Sequence, residues 1–248
     1  MELTIEKPTT DFNVAFFVIG RLGQTNFNCR TIIDHYLPEK YYISGPFMND
    51  FLADNQIGYI RFPGFTGEID KHNLNFMLER YQDTQGLIID LRQNGGGMPQ
   101  DMYRLLSRFV SEKTLIYYSQ LKNGPGHDDF GSPKPAYVEP YEGIRYLKPM
   151  RVLPDRGTYS AGSFTSLVIK AIPNMLLVGD TTGGGLGAPN GGQLPNGWRY
   201  RFSISKALTL DMDESYENGV PPDMLARFDW SDLSRDEVLD AAISDLLR

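Results

Sequence analysis

The chain has 248 residues, 41% of them hydrophobic, and a formal net charge of −7. That charge argues against non-specific nucleic-acid binding, which rests on Lys and Arg neutralising phosphates, and no run approaches the roughly 18 apolar residues of a membrane span. The single cysteine, Cys29, excludes an internal disulfide and a cysteine-based metal site, and the opening MELTIEKPTT lacks the charged and apolar regions of a signal peptide.

Residues 1–22 read as a β-hairpin, with Leu3 and Ile5 alternating with Thr4 and Glu6, a turn at Pro8 to Asp11, and a second strand from Val14 to Ile19. Two strands alone are marginal in water, so this hairpin must pack on something. Residues 23–52 are weakly patterned and read as a connector, with turn signals at Gly23, Pro38 and Gly45-Pro46. Residues 1–54 therefore divide from a core over 55–248. Ile57 to Phe62 is a strand, and Leu74, Met77, Leu78 and Tyr81 stripe a helix started by Asp70. Leu87 to Leu91 is a nearly continuous apolar run, as expected of a strand buried on both faces. It runs into Arg92-Gln93-Asn94-Gly95-Gly96-Gly97, and a helix follows with Met102, Leu105, Leu106 and Phe109 on one face. Leu115 to Leu121 is another strand. This β-α-β-α-β repeat predicts an α/β fold with a mainly parallel sheet flanked by helices.

Residues 122–148 read as a long loop rich in Gly, Pro, Asp and Tyr. A strand at Met150 to Leu153, a polar turn, a helix striped by Phe164, Leu167, Val168 and Ala171, and a strand at Met175 to Val178 come next. A hairpin turns at Asn196-Gly197, and its outgoing strand alternates Tyr200 and Phe202 with Arg199 and Arg201. The last helix opens on a Ser234/Glu237 capping box and buries Leu239, Ala242, Ile243 and Leu246.

In a parallel sheet the ligand crevice lies beyond the carboxyl ends of the strands. Two loops leave such ends: the triple glycine after Leu91 and the turn carrying Ser160. Ser160 stands where a helix begins and is either an N-cap or a nucleophile. Gly95 to Gly97 either turn the chain or bring backbone N–H groups to a ligand, for instance a developing oxyanion. A phosphate loop is disfavoured, since GxxxxGK[ST] is absent. A serine nucleophile needs a base. His72 falls off the apolar stripe of its helix and reads as solvated, and His35 has no partner pattern. His127 lies beside Asp128 and Asp129, either as a loop residue or as an imidazole that these carboxylates orient. Glu217, before Gly219-Val220-Pro221-Pro222-Asp223, is either a solvated charge or part of a polar network.

In order, GYIRF, GLIIDLRQNGGG, GTYSAGS, VGDTTGGG, LPNGW and ENGVPPD resemble the tail-specific (C-terminal-processing) serine peptidase family, over about residues 55–248. The closest resemblance is to the branch with the tricorn core and the repeats of interphotoreceptor retinoid-binding protein. The resemblance implies a crotonase-like core and hydrolysis of a peptide or protein substrate without metal or cofactor. Ser160 falls on the family's nucleophile, Gly95, Gly96 and Ala161 on its oxyanion hole, and Glu217 on the acidic residue of the tricorn branch. The serine–lysine branch carries its lysine in a TFGKG-like loop; here that loop is Thr181-Thr182-Gly183-Gly184-Gly185. The tricorn branch draws a histidine from an upstream Gly-His or Ser-His pair, which residues 1–55 lack. This implies a base from a preceding segment, a substitute such as His127, or a scaffold that only binds, as the retinoid-binding relatives do. On the same resemblance the N-terminal hairpin is the remnant of an upstream module, and the location is the bacterial cell envelope or periplasm. An acyl-CoA enzyme is supported by fold analogy alone.

Overall fold

A computed structural model describes residues 42–248. The hairpin expected over residues 1–22, and His35 in the connector, lie outside the described residues. In chain order the elements begin with β1 (Tyr42–Ser44), β2 (Phe47–Leu52), β3 (Ile57–Arg61), α1 (Lys71–Arg80), β4 (Gly86–Asp90) and α2 (Pro99–Leu106). There follow β5 (Thr114–Leu121), β6 (Lys134–Val138), β7 (Met150–Leu153), α3 (Ala161–Ile169) and β8 (Met175–Gly179). The chain closes with β9 (Pro189–Gln193), β10 (Arg199–Ser203), β11 (Ser205–Leu208), a 3-10 turn (Ser215–Asn218), β12 (Met224–Leu225) and α4 (Glu237–Leu246).

Seven strands form the central sheet in the order β1-β2-β3-β4-β7-β8-β12. From β3 onward every pairing is parallel, and β1 and β2 add an antiparallel edge. All five residues of β4 are buried, because the strand lies mid-sheet with cover on both faces. Side chains alternate between these faces. Leu87, Ile89, Met150, Val152 and Leu177 pack with the apolar stripes of α1, α2 and α3, while Ile57, Tyr59, Ile88 and Val178 pack with Val238 and Ala242 of α4. The mainly parallel sheet flanked by helices is as expected. Among the described residues no helix is long and apolar enough to cross a membrane.

Asp70 caps α1 as read, its Oδ1 accepting the His72 and Asn73 amides at 2.8 and 2.9 Å. Four local readings are corrected. Residues 42–52, placed in the connector, form β1 and β2 around the Gly45-Pro46 turn. The strand at 115–121 is not the next parallel strand: β5 joins a separate antiparallel sheet, β11-β5-β6. Only Ile116 of its eight residues is fully buried, so β5 lacks the two-sided burial a central parallel strand requires. The long loop contains β6, whose Pro135 suits an edge strand because it has no N–H to donate. Finally, α4 is capped by Asp236, which accepts the Leu239 amide at 3.0 Å. Ser234 instead hydrogen-bonds Asp232 at 2.6 Å.

Candidate active site

The loops leaving β4 and β7 are laced together at the carboxyl edge of the sheet. The Thr158 hydroxyl donates to the Leu91 carbonyl at 2.8 Å, the Gln93 amide to Asp155 Oδ1 at 2.9 Å, and the Tyr159 amide to the Asn94 carbonyl at 2.9 Å. Gly96 is where the two loops meet. A Cβ there would lie 2.7 Å from the Ser160 Cβ, the Ala161 nitrogen and the Tyr159 carbonyl oxygen, and its φ is +93°. Only glycine permits this approach. The triple glycine and Ser160 therefore share one site.

Ser160 has φ 52° and ψ −123°, a left-handed geometry that costs a non-glycine residue about 1–3 kcal/mol. It is held there from both sides. Its N–H donates to the Gly184 carbonyl at 3.0 Å, and its carbonyl accepts the Phe164 amide at 2.8 Å. The helix-cap reading does not hold, since the side chain makes no capping hydrogen bond. A sharp, strained strand-to-helix turn whose hydroxyl has no hydrogen bond among the described residues resembles the geometry of a nucleophile elbow.

The Ala161 N–H has no hydrogen-bond partner among the described residues. On the glycine side the Gly96 N–H donates to Asn94 Oδ1 at 2.9 Å and the Gly95 N–H to the Pro63 carbonyl at 3.3 Å. A ligand oxygen held by Gly96 would therefore displace the Asn94 side chain.

Glu217 is half-buried in the 3-10 turn, and one of its carboxylate oxygens accepts the Leu186 and Gly187 amides, both at 3.0 Å. Its carbonyl accepts the Gly185 amide at 3.0 Å. Glu217 thus grips the segment whose Gly184 carbonyl grips Ser160. A fully buried hydroxyl pair, Ser163 and Thr182, completes the clamp: the Gly184 amide donates to Ser163 at 3.2 Å, and the Val220 amide to Thr182 at 2.8 Å. Sequence reading quoted Ser163 within GTYSAGS yet missed its role. A serine three positions after Ser160, in the first turn of a largely apolar helix, was the available signal.

The structure does not bring His127 to Ser160. The imidazole is 97% exposed and pairs with the adjacent Asp128 at 2.9 Å, and a side chain so exposed packs against nothing. The loop carrying it is closed at its base by an antiparallel Lys122–Phe130 bridge. His72 is exposed, as read. Lys170 is turned to Asp223 at 2.6 Å. Nor does the glycine run after β8 have room for a lysine. A Cβ on Gly184 would lie 2.1 Å from the Glu217 carbonyl oxygen and one on Gly185 2.5 Å from the Tyr159 ring, with φ +83° and +77°.

The family model for peptidase family S41 matches residues 56–226. The chain is 25% identical over 177 residues to the carboxy-terminal processing protease CtpA of Bacillus subtilis (strain 168), a match covering 71% of this chain and 36% of that protein. A solved structure from Parabacteroides merdae ATCC 43184, of a protein described as a candidate peptidase, is 39% identical with a TM-score of 0.84 and covers 90% of this chain and 71% of that one. The tricorn protease structure shares the fold at 24% identity and a TM-score of 0.56, over 78% of this chain and 18% of its own. The chain spans about a third of the length of the curated relatives it matches. With the family model covering more than half of its length, the chain belongs to peptidase family S41.

Proposed function

We propose that this chain is the catalytic core of a serine endopeptidase in which the Ser160 hydroxyl attacks a peptide carbonyl. The observation that carries this reading is the strained Ser160 turn, its hydroxyl uncapped, beside Gly96 and the unpartnered Ala161 N–H. In the proposed sequence Ser160 Oγ bonds to the carbonyl carbon and its proton passes to a base. The oxyanion is held by Ala161 N–H and by Gly96 N–H released from Asn94, with Gly95 shaping the loop. The leaving amine takes the proton, and water then hydrolyses the acyl-serine. A serine-reactive fluorophosphonate should label the protein, with the adduct mapped to Ser160 by mass spectrometry. An adduct elsewhere moves the nucleophile. No adduct favours the second reading, a binding module on the same scaffold, which the near-complete exposure of His127 supports.

Two further results follow from the contacts. His127→Ala should leave hydrolysis of an unfolded protein within about threefold, in keeping with a solvated surface residue. His35→Ala, measured alongside, tests whether the base comes from the segment before Tyr42. Glu217 acts as a positioning residue in this proposal. Glu217→Ala should cost about 100-fold in kcat, the scale of a small misplacement of a reacting group. Glu217→Gln keeps an oxygen for the Leu186 and Gly187 amides and should retain most of the activity. If Gln is as damaging as Ala, the negative charge itself is required.

A further inference from the structure

β9 and β10 form a two-stranded ribbon whose residues are all exposed. Trp198 is 72% exposed, Phe202 53% and Tyr200 46%. Such a ribbon is marginal by itself in water, and its two sides are not alike. The ladder pairs Tyr200 with Gly192 and Phe202 with Asn190, and it continues through the Leu194 amide to the Trp198 carbonyl and the Ile204 amide to the Ala188 carbonyl. Even-numbered residues of β10 therefore direct their backbone groups to β9, and Arg199, Arg201 and Ser203 direct theirs outward. On the outer side of β9, Pro189 has no N–H and the Gly191 N–H is taken by Asn190 Oδ1 at 2.8 Å. That edge is blunted in the way natural sheets block further pairing. The outer edge of β10 has no pairing strand among the described residues.

The faces differ as well. Tyr200 and Phe202 lie side by side, centroids 6.1 Å apart and planes within 7°, with the Tyr200 ring lying over Gly192, where a Cβ would come within 2.8 Å of its hydroxyl. The other face carries Arg199 and Arg201, which form no ion pair among the described residues in a chain of net charge −7. The stem of the ribbon is tied to the loop that holds Ser160. Ser203 packs against Gly187, whose amide Glu217 holds, and Gly187 lies three positions after the Gly184 that binds Ser160. Chain dimensions put the stem at most about 20 Å from Ser160, roughly six extended residues.

We propose that the outer edge of β10 captures an extended segment of the polypeptide substrate as an added strand, one whose acidic side chains alternate with apolar ones. This rests on the peptidase reading. A strand added to β10 shares its alternation, so every second side chain meets Arg199 and Arg201 and the others meet the aromatic face. Main-chain hydrogen bonds supply affinity, and the two faces supply selectivity.

Fluorescence anisotropy with Ser160→Ala protein and two peptides about twelve residues long, alternating Asp-Val and alternating Lys-Val, tests this. The Asp-Val peptide should bind about tenfold tighter, since two exposed charge pairs change from attraction to repulsion between the peptides. The double variant R199E/R201E should reverse the order. N-methylating every second amide should weaken binding in one phase and spare it in the other, a pattern that charge attraction alone does not produce. Equal binding of both peptides, or indifference to N-methylation in both phases, overturns the proposal. So does a mass doubling in sedimentation that R199E/R201E abolishes, which would give the edge to a second copy of the chain. If peptides bind as expected but the unsubstituted protein neither cleaves them nor takes a fluorophosphonate, the peptidase reading fails and the β10 edge stands.

Discussion

Ser160→Ala is expected to lower peptide hydrolysis by at least about 10⁴-fold, the scale seen when a nucleophile is removed and only oxyanion stabilisation and binding remain. Stability should change by less than about 0.5 kcal/mol, because the hydroxyl caps nothing and alanine adopts the same φ at the same cost. Ser160→Gly sharpens the test. It should be equally inactive yet more stable by about 1 kcal/mol, a rise of roughly 2–4 °C in Tm, because glycine takes a φ of 52° without strain. A glycine variant no more stable than the wild type would mean that the turn stores nothing for function. Hydrolysis that survives both substitutions would remove Ser160 from the chemistry.

The second large effect lies beneath the glycine loop. Asp90, fully buried at the end of β4, accepts from Arg61 at 2.7 Å, Arg92 at 2.7 Å and the Tyr59 hydroxyl at 2.8 Å. Arg92 also reaches the α4 cap, Asp236, at 2.8 Å. Removing one partner leaves the others charged in the interior, which costs about 3–5 kcal/mol. Asp90→Ala should therefore lower the urea midpoint sharply. It should also loosen the glycine loop, since Arg92 begins it. Burial pushes the Asp90 carboxyl upward, but the Arg61 and Arg92 charges and the hydrogen bonds from Arg92 and Tyr59 prevail and hold it well below the usual carboxylate range. The folded protein thus binds this proton less readily than the unfolded chain. The stabilisation is fully present above about pH 4, the unfolded value, and is lost as pH falls through the lower folded value. Asp90→Asn should flatten the acid limb of Tm against pH. An unchanged acid limb would place the acid sensitivity elsewhere.

Much of the central sheet was legible because its strands are buried on both faces and so become apolar runs, as in Leu87 to Leu91. Asp70 was legible because a cap is a local bond. β5 was not: its apolar residues matched a buried strand, but partial burial and antiparallel partners belong to tertiary structure. The Ser160 and glycine turns could be assigned to one edge of the sheet from topology alone. The work of Glu217 could not, since its carboxylate binds backbone amides of Leu186 and Gly187, and amides carry no mark of residue type. His127 misled for the opposite reason. Its neighbour Asp128 gives it a partner in sequence and in space, and that pairing says nothing about reaching Ser160.

The Gly184 carbonyl that steadies Ser160 belongs to a residue with no volume for a side chain. A chain with this backbone cannot place an amine base there by one amino-acid replacement, because any β-carbon would collide with the oxygen of residue 217. Seating a lysine at this position would require rebuilding two loops together, so here the main chain restricts which side chains can reach Ser160 before any reactive group is chosen.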